Sequence, residues 1–240
     1  MSNFLSWIQK RDKNLYEMIS QEEFGDENVG SKKELVVLVG PPAVGKSTYI
    51  ASKFSTDDVF VVSRDDIVDQ VASENDMTYD DMFQLPPKTA VPNTSVKGME
   101  QYGVVKEAPK WMRWTDFVFD KVQAANDRIN SLLQQRFRDA IDSGLNVVVD
   151  MTNMTAQIRK NALKYADGKD YFRRAVVFTM SDSDLPVLLK RMRERSEKIK
   201  QQGGSKTIGD DVINRMVSSF EKVDPAEGFD KVDTINTFLS

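Results

Sequence analysis

A glycine-rich segment that ends in lysine, serine and threonine carries the strongest chemical signal in the chain. Residues 40–48 read GPPAVGKST. Glycines let successive backbone N–H groups point inward at phosphate oxygens, the lysine adds positive charge, and the serine hydroxyl suits a magnesium ligand. We therefore predict a loop that binds a nucleoside triphosphate, with ATP and Mg²⁺ as ligands. The predicted contacts are Gly40, Pro41, Ala43, Val44, Gly45, Lys46, Ser47 and Thr48.

Two neighbouring carboxylates, Asp65 and Asp66, follow the next apolar segment. A carboxylate at the carboxyl edge of a parallel sheet lies where ligands bind, and it can accept the proton of an attacking hydroxyl. The chain has no histidine and no cysteine, so a catalytic base must be a carboxylate or a lysine. The alternative interpretation is that Asp65 or Asp66 only caps the following helix.

A third polar group, Asp150, ends the apolar run 145–150 and is followed by Thr152 and Asn153. A hydrophobic strand that ends in aspartate is typical of a residue that holds magnesium through water. Asp150 and Ser47 are thus the candidate metal ligands. A turn that is merely organised by Asp150 and Asn153 is the alternative, because such side chains often bond nearby backbone.

A basic stretch near the C-terminal third contains Arg191 and Arg195, which are four residues apart and share one helix face. Two guanidinium groups on one face could close together over a transferring phosphoryl group. Three lysines, Lys198, Lys200 and Lys206, continue the positive charge. The alternative is an ordinary solvated helix face.

Apolar runs alternate with helical patterns along most of the chain, which predicts an α/β fold: a three-layer P-loop sandwich with a mostly parallel sheet. The predicted strands are 34–40, 59–63, 145–150, 173–180 and, more weakly, 231–238. The predicted helices are 46–54, 65–74, 116–142, 156–166, 185–199 and 210–222.

Two segments fall outside this alternation. Residues 1–33 predict a short helix over 3–20 and a linker, which leaves 34–240 as the main domain, and the proline-containing stretch 76–115 predicts an insertion. Near its end the insertion contains Trp111, Arg113 and Trp114, and aromatic residues beside basic ones suit stacking on nucleic-acid bases. Alternatively, the tryptophans anchor the insertion to the long helix that follows.

Composition sets broad limits on the protein class. With 40% hydrophobic and 29% charged residues, the 240-residue chain is typical of a globular protein, and we expect a cytoplasmic location without a membrane span. The net charge of −4 neither supports nor excludes nucleic acid as a partner.

The order of these motifs resembles that of the phage polynucleotide 5′-hydroxyl kinases and their P-loop relatives. The match comprises GPPAVGKST at 40–48, RDD at 64–66, DMTN at 150–153, LLKRMRER at 188–195 and DDVINRM at 210–216. The resemblance implies that Asp65 is the general base, that Lys46 and Ser47 serve the phosphates and magnesium, and that Arg191 and Arg195 form a lid. The implied substrate side comprises Asp66, Asp150, Thr152, Asn153 and Arg159.

One departure from this family concerns the acceptor. Members that act on polynucleotide ends carry an arginine three residues after the base, where this chain has Val68. We expect a kinase for a hydroxyl of nucleic acid, DNA rather than RNA, with a 5′-OH end first and a base hydroxymethyl group, as in 5-hydroxymethyluracil, second. A small-molecule or nucleoside kinase and a nucleotide-dependent switch without an acceptor are the further alternatives.

Overall fold

The computed structural model describes residues 32–80, 82, 112–204 and 206–238, without the side chains of 112–123. The predicted helix over 3–20 and most of the predicted insertion 76–115 therefore lie outside the described residues.

Five parallel strands form one sheet, in the order β2-β3-β1-β4-β5. All the predicted strands are present, including the weakest one at the C-terminal end. Each begins and ends within about two residues of its predicted bounds, as expected for apolar runs flanked by polar residues. The strands are β1 (Lys33–Val39), β2 (Val59–Ser63), β3 (Asn146–Asp150), β4 (Tyr171–Thr179) and β5 (Lys231–Asn236).

In the described part of the chain, six α-helices accompany the sheet: α1 (Lys46–Lys53), α2 (Arg64–Glu74), α3 (Met112–Asp142), α4 (Ala156–Leu163), α5 (Leu185–Gln201) and α6 (Asp210–Ser218). Two bounds differ from prediction by four residues. Helix α3 begins four residues before 116, so the last part of the predicted insertion is helical. Helix α6 ends at Ser218 rather than 222, because the Glu221 N–H donates to the Met154 carbonyl at 2.9 Å and leaves the helical path.

Side chains alternate along β1 between two buried layers, which confirms the three-layer fold. On one face, Leu35 and Val37 pack with residues of α3 and α4, while on the other, Val36 and Leu38 pack with residues of α1, α5 and α6. All four side chains are fully buried. A strand covered on both faces needs a continuous apolar sequence, as β1 has.

The strand order brings three chemically important segments to one edge. Strand β3 lies between β1 and β2, so the loop after β1, the start of α2 and the residues after β3 are neighbours at the carboxyl end of the sheet. Ser63 pairs with Asp150 in the register of β2 and β3. Within the described ranges, no helix is long and apolar enough to cross a membrane.

Candidate functional site

The loop after β1 begins at a position that only glycine fits. Gly40 has φ of 156°, and a Cβ there would lie 3.0 Å from the Phe178 Cβ and 3.1 Å from the Val44 Cγ2. Its N–H donates to the Thr152 carbonyl at 2.9 Å, which ties the loop to the segment after β3. Ala43 and Gly45 follow with φ of 63° and 103°. Residues with positive φ, interspersed among ordinary ones, turn backbone N–H groups toward a common centre, as in an anion-binding nest.

Helix α1 starts directly from this loop with a bare N-terminus. Its N-cap is Gly45, which has no side chain to satisfy the first N–H groups, and its first turn contains no acidic residue. The first turn comprises Lys46, Ser47 and Thr48, and Ser47 is half-buried. Unpaired N–H groups and the helix dipole together make such an end favourable for phosphate.

Lys46 lies folded across the loop. Its Nζ donates to the carbonyls of Gly40 and Pro41, at 2.8 Å each. Burial lowers the pKa of Lys46 to about 8, and the charge of Asp150 acts in the opposite direction. An anion beside Nζ would favour the charged form further. Lys46 is thus held within the loop, close to at least one carboxylate.

Asp65 lies at the start of α2, but it does not cap that helix. The cap is Ser63, whose Oγ accepts from the Asp66 N–H at 3.3 Å, so the capping alternative is wrong for both aspartates. Asp65 accepts at Oδ1 from the Tyr79 hydroxyl at 2.9 Å and at Oδ2 from Lys206 Nζ at 2.7 Å. Burial alone would raise the pKa of Asp65, but the charge and hydrogen bond of Lys206, with the Tyr79 bond, outweigh it and lower that pKa.

Asp150 occupies the corresponding position at the end of β3. Burial is the largest cause that raises the pKa of Asp150. The charge of Lys46 opposes that rise, and the charges of Asp65 and Asp66 add to it. Asp66 itself is exposed to solvent. These mutual effects show that the carboxylates of α2 and β3 and the loop lysine share one electrostatic neighbourhood.

The two arginines of α5 have different surroundings, although they share a helix face. The charge of Arg195 acts on Lys46, Asp65 and Asp150, whose pKa values are set first by burial. Arg191 instead donates to the Thr237 carbonyl at 3.2 Å and lies 4.7 Å from the centre of the Phe238 ring. Of the two arginines, Arg195 thus lies within electrostatic reach of the phosphate loop in this conformation, and the closing of the pair over a phosphoryl group stays a prediction.

Asn153 is a structural residue, which corrects its expected place on the substrate side. It has φ of 48° and is fully buried, and its Nδ2 donates to the Leu38 carbonyl at 2.7 Å. Asparagine tolerates this left-handed conformation better than most residues. Thr152 is half-buried, and the contact described above involves its backbone carbonyl. The turn alternative thus holds for Asn153.

Arg159 is likewise structural, and its expected contact with substrate is wrong for this conformation. Its guanidinium is fully buried, and Nε and Nη2 each donate to a carboxylate oxygen of Glu227 at 2.7 Å. Further bonds go to the carbonyls of Asn153 and Lys222. These bonds engage the guanidinium within the protein interior.

The remaining substrate-side candidates lie outside the described side chains. Trp111 lies outside the described residues, and Arg113 and Trp114 belong to the first turn of α3, where side chains are not described. Their expected contact with nucleic acid stays a prediction.

Sequence reasoning missed two residues at the site. Tyr79 bonds the Asp65 carboxylate, and Thr237 donates from Oγ1 to the Val44 carbonyl of the loop at 2.7 Å. A tyrosine 14 residues beyond Asp65 gives a weak signal at best. Thr237 is 193 residues from its partner, and no local pattern could have identified it.

Comparison with known proteins identifies the family of the chain. No curated protein matches the chain. The chain is similar to a structure from a study of the PezAT chromosomal toxin-antitoxin system of Streptococcus pneumoniae, with 11% identity and a TM-score of 0.48, covering 98% of this chain and 78% of that one. A likeness at this level carries no argument about function. A family model described as AAA domain matches residues 35–223, from β1 to beyond α6. With its P-loop at residues 40–48, the chain therefore belongs to the AAA domain family and is a P-loop nucleotide-binding domain.

Proposed function

We propose that the protein is an ATP-dependent kinase that phosphorylates a hydroxyl of nucleic acid, with a polynucleotide 5′-OH end as the first candidate. The observation that carries the proposal is the position of Asp65. Its half-exposed carboxylate lies at the carboxyl edge of the sheet, within electrostatic reach of Lys46 on the phosphate loop. A carboxylate at this place suits removal of the proton from an acceptor hydroxyl.

The residues around the phosphate loop suit a nucleoside triphosphate as the phosphoryl donor. The bare N-terminus of α1, the left-handed loop residues and Lys46 would hold the phosphates. Donors of this number and kind suit a polyanion.

The site offers fewer protein ligands for Mg²⁺ than for the phosphates. Within the described residues, no group of three or more acidic side chains could hold a metal ion by itself. Ser47 and Asp150 are the residues that would hold Mg²⁺, together with phosphate oxygens and water, which is the usual arrangement for this ion. When bound, the ion neutralises charge that develops on the transferring phosphoryl group.

The proposed transfer assigns each protein group one task. Asp65 accepts the proton of the acceptor hydroxyl while the hydroxyl oxygen forms a bond to the γ-phosphorus. At the same time, the bond from that phosphorus to the β–γ bridging oxygen breaks. The products are the phosphorylated acceptor, ADP and one proton, which Asp65 later releases to water. Lys46 and Arg195 stabilise negative charge on the transferring oxygens.

A second acceptor, a hydroxymethyl group on a DNA base, is favoured by one observation. Val68 is fully buried and packs with Val71, Ala125 and Ile129 between α2 and α3. The position where polynucleotide end kinases carry a phosphate-binding arginine is therefore part of the core here. Without that contact, recognition of a strand end must come from elsewhere in the chain, which leaves room for a different acceptor.

The test compares acceptors directly. The protein is incubated with Mg²⁺, ATP labelled at the γ-phosphate and either 5′-OH oligonucleotides or end-blocked DNA that contains 5-hydroxymethyluracil. Label on the 5′-OH oligonucleotides supports the first candidate, and label on the blocked DNA alone replaces it with the second. Transfer only to free nucleosides, or phosphate release without transfer, contradicts both and indicates a small-molecule kinase or a switch.

A further inference from the structure

A short segment between α5 and α6 reaches across the site to the candidate base. Lys206 Nζ lies 2.7 Å from Asp65 Oδ2 and 4.3 Å from the centre of the Tyr79 ring. The next residue, Thr207, donates its N–H to Asp80 Oδ1 at 2.8 Å. The segment 206–207 therefore contacts the α2 side of the site at three points, and two of them involve Lys206.

The environment of Lys206 differs from that of a surface lysine. Its side chain is 14% exposed, although the Asp65 side chain is 50% exposed. Exposed ion pairs fix their partners weakly, since water competes for both charges. The Lys206 ammonium group has few other positions to adopt, because it is shielded on most sides and lies over an aromatic ring.

The two partners occupy different oxygens of the carboxylate. Tyr79 donates to Oδ1 and Lys206 to Oδ2, so rotation of the carboxyl group would break both bonds. Burial first, and then the charge of Asp65, raises the pKa of Tyr79, so its hydroxyl keeps its proton and remains a donor. The lone pairs that these bonds leave free on the half-exposed carboxylate are available to an acceptor hydroxyl.

We propose that Lys206 is a positioning residue that, with Tyr79, holds the Asp65 carboxylate ionised and oriented for proton transfer. The inference rests on the proposed function, in which Asp65 is the general base. Lys206 acts through Asp65 and need not touch either substrate.

Several other charges act on Asp65, and they determine what loss of Lys206 should do. Burial raises the pKa of Asp65, whereas Lys206, the Tyr79 bond and Arg195 lower it. Without Lys206, the effect of burial is less well opposed, so the pKa of Asp65 should rise. The charged or titratable groups around Asp65 are Lys46 on α1, Asp66 and Asp69 on α2, Tyr79 beyond it, Asp150 on β3, Arg195 on α5 and Lys206 itself.

The first experiment is a titration that needs no enzymatic activity. The protein, labelled with ¹³C at aspartate carboxyl groups, is followed by NMR over pH, and Asp65→Asn assigns the Asp65 signal. We expect the Asp65 midpoint to move to higher pH in Lys206→Met and in Tyr79→Phe, and to stay near the wild-type value in Lys206→Arg. Lys200→Met, which removes an exposed charge on α5, should leave it unchanged. An unchanged midpoint in folded Lys206→Met would overturn the proposal.

The second experiment uses the acceptor that the wild-type protein phosphorylates. We expect kcat of Lys206→Met to fall about 10- to 100-fold, because a misplaced base loses near-attack geometry, while KM for ATP changes less than about twofold. Lys206→Arg should recover most of kcat. If the wild-type protein phosphorylates no acceptor, the proposed function fails, whereas the titration still tests Lys206. A rise in KM for ATP with kcat unchanged contradicts the positioning role.

Discussion

Two charged clusters follow neighbouring strands of the sheet, and they differ in exposure. The base cluster consists of Asp65, Tyr79 and Lys206, and the staple consists of Asn153, Arg159 and Glu227. In the base cluster the carboxylate is 50% exposed, whereas in the staple the Arg159 side chain is 0% and the Glu227 side chain 7% exposed. The resemblance to a kinase family placed Asp65, Asn153 and Arg159 together at one site.

The difference teaches how to separate a site from a structural ion pair. In the staple, Arg159 bonds two carboxylate oxygens and two backbone carbonyls, which meets the requirements of a buried charge. In the base cluster, the carboxylate keeps an open side near a loop suited to phosphate. A buried, fully bonded polar group stabilises a fold, whereas a held but accessible one can react.

The largest expected effect is on activity, from a change in the base cluster. Asp65→Asn should lower kcat by about two to four orders of magnitude, because the amide cannot accept the hydroxyl proton. Nucleotide affinity should change little, since Asp65 is not part of the loop. Single-turnover transfer and ATP binding are the measurements. A variant with nearly wild-type kcat would show that Asp65 is not the base.

The matching change in the staple should affect stability instead. Arg159→Met leaves the Glu227 carboxylate buried without its partner, and we expect a loss of about 3–5 kcal/mol in the free energy of unfolding. Urea unfolding, with the denaturant dependence checked against wild type, measures it. The control is Lys169→Met, which breaks an exposed pair with Asp142 and should cost about 0–1 kcal/mol. Equal small losses would contradict the structural role of Arg159.

The two arginines of α5 offer a closer comparison within one helix. Arg195→Met should lower kcat about 10²- to 10³-fold, as expected on removing one donor to a charged transition state. Arg191→Met removes a bond to the Thr237 carbonyl and a ring contact, so we expect mainly a stability loss of about 1 kcal/mol. Steady-state kinetics and urea unfolding of both variants test this. The reverse pattern would indicate that α5 moves and brings Arg191 to the phosphates.

The smallest expected effect is a difference in acid stability. The pKa of Asp65 is lowered from its ordinary 3.8 in the folded protein, so the unfolded chain binds its proton at higher pH. The contribution of this group is present above 3.8 and is lost as pH falls through the folded value. The stability advantage of wild type over Asp65→Asn should thus shrink in acid. Urea unfolding between about pH 2 and 6 measures it, and a growing advantage would contradict the ion pair.

Much of the fold was predictable because its signals are local. Apolar runs such as 34–40 mark strands buried on both faces, and the sequence 40–48 marks the loop in its strand-to-helix context. The bounds of α3 and α6 were less predictable. Helix α6 ends at Ser218, shortly before Glu221 bonds Met154 in another part of the chain, and no local pattern reports such a bond.

The sequence by itself determined the alternation of strands and helices, the phosphate loop and the choice of a carboxylate as candidate base. Only the tertiary structure decided which polar residues stay accessible. Asn153 and Arg159 lie close in sequence to Asp150, yet folding buries them. Asp65 is held by Tyr79, 14 residues away, and by Lys206, 141 residues away. The physical reason is that exposure and charge pairing depend on contacts between segments far apart in the chain, while secondary structure and loop chemistry depend largely on near neighbours.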